Sequence, residues 1–111
     1  MRLTKHNSLI DVVDDLFQQQ HFAKALKNLE FTLLNGDRRE ADLIELMQNC
    51  AYGYEIKSWY RPELEVKAKW QLLGYRDFVR ETYYITDFKG YMVFGINKEQ
   101  KDLRYETKRL V

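Results

Sequence analysis

Few side chains in this chain have the type and spacing for acid–base catalysis. Asp14 and Asp15 are adjacent carboxylates, and His6 and His21 are the two imidazoles. Adjacent positions of a helix do not face each other, and both aspartates lie mostly off an apolar stripe, so neither gains the burial that would raise its pKa. Neither histidine has a partner at a recurring catalytic spacing. The two aspartates therefore predict a solvated acidic face, and the two histidines predict structural or exposed rings.

Redox and metal chemistry have little support in the sequence. Cys50 is the single cysteine, so the chain cannot form an internal disulfide, and no Cys/His cluster has zinc-ligand spacing. The glycines form no phosphate-cradling loop and no nucleophile elbow. We therefore expect a protein that is not an enzyme and that needs no metal or cofactor.

A basic and aromatic segment between residues 57 and 80 has two interpretations. In the first, Trp59 and Trp70 stack on exposed nucleic-acid bases while the cations follow phosphates. In the second, which we favour, both tryptophans are core anchors and the cations lie over apolar surface. The residues of the nucleic-acid alternative are Lys57, Trp59, Arg61, Lys67, Lys69, Arg76 and Arg80.

Length and charge set the class of protein. The 111 residues and net charge of +1 fit one globular domain spanning 1–111. Residues 1–55 carry 6 Lys/Arg against 9 Asp/Glu, and residues 56–111 carry 12 against 8, so the C-terminal half is mildly basic. There is no apolar run of the roughly 20 residues that span a membrane and no signal-peptide stretch at the start, which predicts a cytoplasmic protein without membrane contact.

Helical spacing predicts three helices in the first half, over about 8–19, 22–34 and 38–52. The first has a start signal at Asn7 or Ser8, and its apolar residues recur at helical intervals. "NG" at 35–36 closes the second, and Asp37 with Glu40 suggests a capping box for the third. We expect one core containing Leu9, Val12, Val13, Leu16, Phe17, Leu26, Leu29, Trp70 and Phe94.

The middle of the chain is ambiguous. "YEIKSWYRP" is rich in aromatic and β-branched residues and resembles a strand. Pro62 and Gly74 then bracket "ELEVKAKWQLLG", whose composition favours a helix over 62–73 although its apolar residues alternate as in a strand. We prefer the helix.

The last third predicts an antiparallel meander with strands at about 81–87, 91–96 and 103–110. Asp87 and Gly90 favour a three-residue hairpin loop at 88–90. This register leaves Tyr83, Ile85, Tyr91 and Val93 on a second face, with too few helices to cover it. Together with Trp59, Tyr60 and Arg61, that face is the predicted surface for a protein partner or a second copy of the chain.

The C-terminal third also resembles a family of small, functionally uncharacterised proteins from phages and prophages of Gram-positive bacteria. The resemblance is carried by "WQLLGYRDF" or "AYGYEI", then "ETYYITDFKGYMVF" and "ETKRL". It implies an accessory protein that acts on phage or host machinery, for example by inhibiting a host protein. Together these arguments predict an α+β fold, with N-terminal helices packed on a C-terminal β-meander and a function in protein–protein interaction.

Overall fold

The computed structural model describes residues 4–21 and 23–111, without the side chains of residues 19–21. His21, predicted in the turn between two helices, and Phe22, predicted at the start of the second helix, therefore lie outside the described side chains. The elements in chain order are α1 (Lys5–His21), β1 (Lys24–Thr32), β2 (Arg38–Leu46), β3 (Cys50–Lys57), α2 (Pro62–Tyr83), β4 (Asp87–Gly95) and β5 (Tyr105–Arg109).

One five-stranded sheet in the order β1-β2-β3-β4-β5 organises the fold. Strands β1, β2 and β3 form an antiparallel meander, α2 carries the chain across to β4 parallel to β3, and β5 returns antiparallel. The two helices cover opposite faces of the sheet: α1 packs on Leu43, Tyr54 and Ile56, whereas α2 packs on the face that includes Ile44 and Ala51.

The predicted arrangement of N-terminal helices on a C-terminal meander is wrong. In place of a helix over 22–34 the described residues hold strand β1, and in place of a helix over 38–52 the chain forms β2 and the start of β3. In β2, the residues Leu43, Ile44, Glu45 and Leu46 are all buried, because helices cover the strand from both sides. A strand buried on both faces loses its alternating pattern, and its continuous apolar run imitates helical spacing.

The predicted hairpin over 81–96 is also wrong. Helix α2 continues through Tyr83, and Tyr84 ends it in the left-handed conformation with φ 59°. Gly90 lies within β4 and not in a turn. A Cβ at this position would come within 3.3 Å of Phe88, Val111 and Leu72. Close packing, and not a turn, therefore explains why position 90 is a glycine.

Other sequence expectations survive in altered form. A helix does begin at Pro62, although it runs ten residues past 73, and β5 pairs beside Phe94 as expected. Of the predicted core, Leu9, Val13 and Phe17 are buried, but Leu16 is 46% exposed and Trp70 56% exposed. Trp70 is therefore not a core anchor, since it points outward from α2.

Candidate functional site

Asp42 lies where the sheet is locally distorted. The β1–β2 ladder pairs Lys27 with Leu43 and Leu29 with Ala41, on either side of Asn28 and Asp42. Asn28 has a positive φ of 49°, and the Asp42 backbone N–H donates to the Tyr75 hydroxyl at 2.9 Å. The Asp42 carboxylate in turn accepts a hydrogen bond of 2.8 Å from the backbone N–H of Ile56. A departure from regular sheet pairing at a carboxylate is typical of functional sites.

Glu55 and Lys57 lie next to Asp42, on β3. Residues two apart on a strand point to the same face, so both side chains project towards α2. Lys57 Nζ lies 3.4 Å from Glu55 Oε1, and the Glu55 side chain is only 4% exposed. The strand thus places a carboxylate and an ammonium group side by side in a largely buried position.

Helix α2 completes the cluster with Gln71 and Tyr75, which share one side of the helix because they are four residues apart. Gln71 Oε1 accepts from Lys57 Nζ at 3.4 Å, and the fully buried Tyr75 hydroxyl donates to Glu55 Oε2. Gly53 permits this contact, since a Cβ there would lie 2.9 Å from the Tyr75 ring. Two side chains of α2 therefore fix the positions of the β3 pair.

Helix α1 contributes His6 from its first turn. His6 Nε2 lies 3.3 Å from Asp42 Oδ2. The preceding residue, Lys5, is buried and donates from Nζ to the backbone oxygens of Asn97 at 2.6 Å and Glu99 at 3.0 Å. The start of α1 is thereby tied to the loop after β4, and His6 is held over Asp42.

The electrostatics of the cluster are those of two carboxyl groups that share one site. Burial, followed by the neighbouring charge of Asp42, raises the pKa of Glu55. The hydrogen bond to Asp42 raises the pKa of His6, because it favours the charged imidazolium. Burial, followed by the charge of Glu55, raises the pKa of Tyr75, so its hydroxyl remains a donor. We call His6, Asp42, Glu55, Lys57, Gln71 and Tyr75 the carboxylate–lysine cluster.

The cluster can be tested for its fit to a metal ion. Within residues 4–21 and 23–111, no set of three or more His, Cys, Asp or Glu side chains forms a metal-binding group. Mg²⁺ does not require one, because it keeps several waters and binds through one or two carboxylates together with substrate phosphates. Asp42 and Glu55 are two such hard oxygen ligands, and a cation would share the Glu55 oxygens with the hydrogen bonds that they accept from Lys57 and Tyr75.

The structure separates the residues of the predicted partner surface. Tyr83 ends α2, Ile85 packs against the core on the α2 side, Tyr91 stacks on Tyr54 with ring centroids 5.6 Å apart, and Val93 is fully buried. These four residues share no single face. Trp59, Tyr60 and Arg61 do lie together after β3, and the Arg61 guanidinium is 5.3 Å from the centre of the Trp59 ring.

Residues of the nucleic-acid alternative are also divided. Lys57 belongs to the carboxylate–lysine cluster, whereas Lys67 and Lys69 are exposed on α2. Arg76 and Arg80 pair with Asp77 at 3.5 and 3.0 Å, so part of their charge is neutralised. Lys57 is thus the residue of this set that belongs to the carboxylate–lysine cluster, where it lies beside Glu55.

Sequence reasoning missed Asp42, Glu55, Gln71 and Tyr75 as a group. A signal was present in "YGYEIKS", where a glutamate and a lysine two residues apart interrupt an apolar strand on one face. A second signal was the four-residue interval between Gln71 and Tyr75 in "WQLLGY". Asp42 had no comparable signal, because it meets Glu55 only through the pairing of β2 with β3.

A comparison with protein-family models, with curated proteins and with solved structures finds no match to this chain. Neither described helix has the length and apolar character needed to cross a membrane. The site must therefore be interpreted from its own chemistry.

Proposed function

We propose that this protein is a divalent-cation-dependent phosphodiesterase that hydrolyses nucleic acid at the carboxylate–lysine cluster. The observation that carries the proposal is the convergence of Asp42 and Glu55 from neighbouring strands, with Lys57 Nζ 3.4 Å from Glu55 Oε1. Two carboxylates bring a cation to a phosphate, and an adjacent ammonium group can contact the phosphate or the attacking water.

Each residue of the cluster has a role in the proposed reaction. Asp42 and Glu55 would hold the cation, and the Lys57 ammonium would donate to a non-bridging phosphate oxygen or orient the water. A bound cation supplies a water of lowered pKa and neutralises charge on the phosphate. The water oxygen forms the new bond to phosphorus while the bond to the ester oxygen breaks. The attacking water releases its proton to solvent, and the leaving oxygen takes one up from solvent.

The remaining members are positioning residues. Tyr75 fixes the Glu55 carboxylate and the Asp42 backbone together, and Gln71 holds the Lys57 ammonium. His6 holds the Asp42 carboxylate in position by contacting its Oδ2 atom. Such supporting contacts keep reacting groups in the geometry that catalysis needs.

A glycosidase-type acid–base pair fits the same carboxylates less well. In those enzymes the two carboxyl groups stand roughly 5–9.5 Å apart, so that a sugar or a water fits between them. Here the Asp42 and Glu55 side chains interact directly. Lys57 also has no role in that mechanism, whereas it complements a phosphate.

A basic and aromatic cleft beside the cluster supports a nucleic-acid substrate. The cleft is lined by Arg38, Arg39, Glu40, Trp70 and Gln71, and Gln71 also contacts Lys57. The Arg39 guanidinium lies 3.7 Å from the centre of the exposed Trp70 ring. Cations and exposed aromatic rings are the groups that bind polynucleotides. Nucleic acid, which the sequence suggested as an alternative partner, is thus the substrate of the proposed activity.

The test is a cleavage assay on labelled single-stranded and duplex DNA and on RNA, with Mg²⁺, Mn²⁺ or chelator. Wild-type protein should cleave at least one of them only when the cation is present. Glu55→Gln should abolish cleavage, and Lys57→Ala should lower it by about 100-fold or more, as the loss of one charge-stabilising donor does.

Glu45→Gln is the matched control, because Glu45 is also a buried strand glutamate but lies outside the cluster. This variant should cleave as wild type does. Absence of cation-dependent cleavage of every substrate would overturn the proposal, as would full activity in folded Glu55→Gln protein.

Protein–protein interaction, the function expected from the sequence, stays a second candidate with one supporting observation. A groove beside α1 is lined by Val13, Leu16, Phe17, Tyr54, Tyr91, Tyr105 and Thr107. The partly buried Tyr91 and Tyr105 and the half-exposed Leu16 are suited to a partner interface. If Tyr105→Ser abolished co-purification of a host protein while DNA cleavage was absent in wild type, this second function would replace the first.

A further inference from the structure

An aromatic cleft of about 410 Å³ opens at the ends of β3 and β4, on the side where α2 begins. Its aromatic lining consists of Trp59, Tyr60 and Phe94, and the Tyr60 and Phe94 ring centroids are 4.9 Å apart. The volume falls within the roughly 300–1,000 Å³ typical of ligand sites. We call it the β3–β4 cleft.

The cleft is linked to the carboxylate–lysine cluster through the pairing of Phe94 with Lys57. Phe94 pairs with Lys57 in the parallel β3–β4 register, so the two side chains share a face of the sheet on neighbouring strands. Lys5, which precedes the cluster residue His6, bonds to the backbone oxygen of Asn97, another residue of the cleft lining. A ligand in the cleft would therefore lie on the same face of the sheet as Lys57, one strand away.

Polar and cationic groups surround the aromatic rings. Lys98 Nζ lies 4.3 Å from the centre of the Trp59 ring. The Tyr60 hydroxyl donates to Glu65 Oε1 at 3.0 Å, and Lys108 Nζ contacts the same oxygen at 2.7 Å. The Tyr60 ring is thereby fixed in place although Tyr60 is exposed, which reduces the ordering cost of stacking a ligand on it.

We propose that the β3–β4 cleft binds the base of an unpaired nucleotide next to the phosphate that is cleaved. The proposal rests on the proposed function, because it takes the phosphate to lie at the carboxylate–lysine cluster. A flat base stacks on Tyr60 and meets Phe94, whose ring is tilted by 49° from that of Tyr60, with its edge, while Asn97 and Glu106 provide polar contacts.

The consequence is a preference for single strands or frayed ends over a closed duplex. A base within a duplex is stacked and paired, and extracting it costs a few kcal/mol, whereas an unpaired base enters a pocket freely. The cleft therefore determines which nucleic acids the cluster can reach.

The test measures binding in chelator, so that cleavage does not interfere. A labelled single-stranded oligonucleotide is compared with an abasic oligomer of the same length and backbone. Tyr60→Ala should weaken binding of the normal strand by about tenfold, as loss of one stacking partner does, and should leave binding of the abasic strand unchanged. Tyr60→Phe keeps the stacking ring but loses the bond to Glu65, so its affinity should fall between those of wild type and Tyr60→Ala, and Trp59→Ala should behave like Tyr60→Ala.

Tyr84→Ala is the matched control, since Tyr84 is exposed at the opposite end of α2. Equal affinities of wild type and Tyr60→Ala for the normal strand would overturn the cleft proposal, as would equal losses on both strands. If cleavage depends on Glu55 but base-dependent binding is absent, only the cleft proposal fails. If base-dependent binding is present but no substrate is cleaved, the cleft stands and the proposed function fails.

Discussion

Lys57 Nζ lies 3.4 Å from Oε1 of Glu55, two residues earlier on the same strand. The pair is largely buried, and burial of a lone charge is costly unless an opposite charge compensates it. Asp42 adds a second carboxyl group and His6 a second cation, because the hydrogen bond to Asp42 raises the pKa of His6. We interpret the cluster as a cation and phosphate site because its two carboxyl groups are hard oxygen ligands beside an ammonium group.

Removal of the Tyr75 hydroxyl should destabilise the fold as well as the site. Tyr75→Phe leaves the Glu55 carboxyl and the Asp42 backbone N–H without their buried partner, which costs about 1–3 kcal/mol. Denaturant unfolding measures the loss, and cleavage should fall with it. Tyr84→Phe is the control and should be neutral; equal stabilities of the two variants would show that the Tyr75 contacts are dispensable.

Two leucines of α1 test the assignment of the core. Leu9 is fully buried, so Leu9→Ala should lower the free energy of unfolding by about 2–5 kcal/mol. Leu16 is 46% exposed, so Leu16→Ala should cost less than about 1 kcal/mol. Urea unfolding of both variants checks this, and a larger loss for Leu16 would reverse the assigned faces of α1.

Glu45 should make stability depend on pH. Burial, followed by its interaction with Asp14, raises the pKa of Glu45 from 4.5 to about 9. A raised carboxyl pKa means that the folded state holds the proton more tightly, so its contribution is complete below about pH 4.5 and declines as pH rises towards 9. Wild type should lose stability relative to Glu45→Gln across this window.

Urea unfolding of both proteins at several pH values measures the effect. The groups that face Glu45 are Asp14, Gln18 and Lys27. Asp14 has a lowered pKa, so its own contribution is lost only at lower pH, as pH falls from its ordinary value of 3.8. A difference between wild type and variant that did not change with pH would contradict the raised pKa of Glu45.

Arg39 should matter for substrate binding through its contact with Trp70. Arg39→Lys keeps the charge but loses the planar group that stacks on the Trp70 ring at 3.7 Å. We expect weaker binding of DNA with little change in stability, measured by fluorescence anisotropy and thermal unfolding. Arg80→Lys is the control. Arg80 pairs with Asp77, and this variant should bind DNA as wild type does.

Local patterns predicted some elements of this fold and failed for others. The first helix and the helix after Pro62 have local start signals, and each formed near its predicted position. Strand β2 could not be recognised in the same way, because coverage by α1 on one side and α2 on the other removes the alternation that marks a strand. Gly90 was predicted to lie in a hairpin turn, and this was wrong because its small size allows close packing with Leu72.

The candidate site was harder to predict, because its members come together only through the fold. Glu55 and Lys57 form a local pattern, as do Gln71 and Tyr75 on their helix. Asp42 joins them only because β2 pairs with β3. A helix over 38–52, as predicted from the sequence, would not form this pairing. The wrong secondary structure thus concealed the acidic pair. The expectation of a protein that is not an enzyme came from the lack of known catalytic motifs in the sequence and stays a prediction.

The most direct test of the central claim is a Mg²⁺ titration of the isotope-labelled protein followed by its amide resonances. Binding by Asp42 and Glu55 predicts saturable shifts centred on Asp42, Glu55 and Ile56 in wild type and in Glu45→Gln. Glu55→Gln should lose these shifts while its other resonances show an intact fold. Absence of shifts at these residues in wild type, or shifts that persist in Glu55→Gln, would contradict a cation site at the carboxylate–lysine cluster.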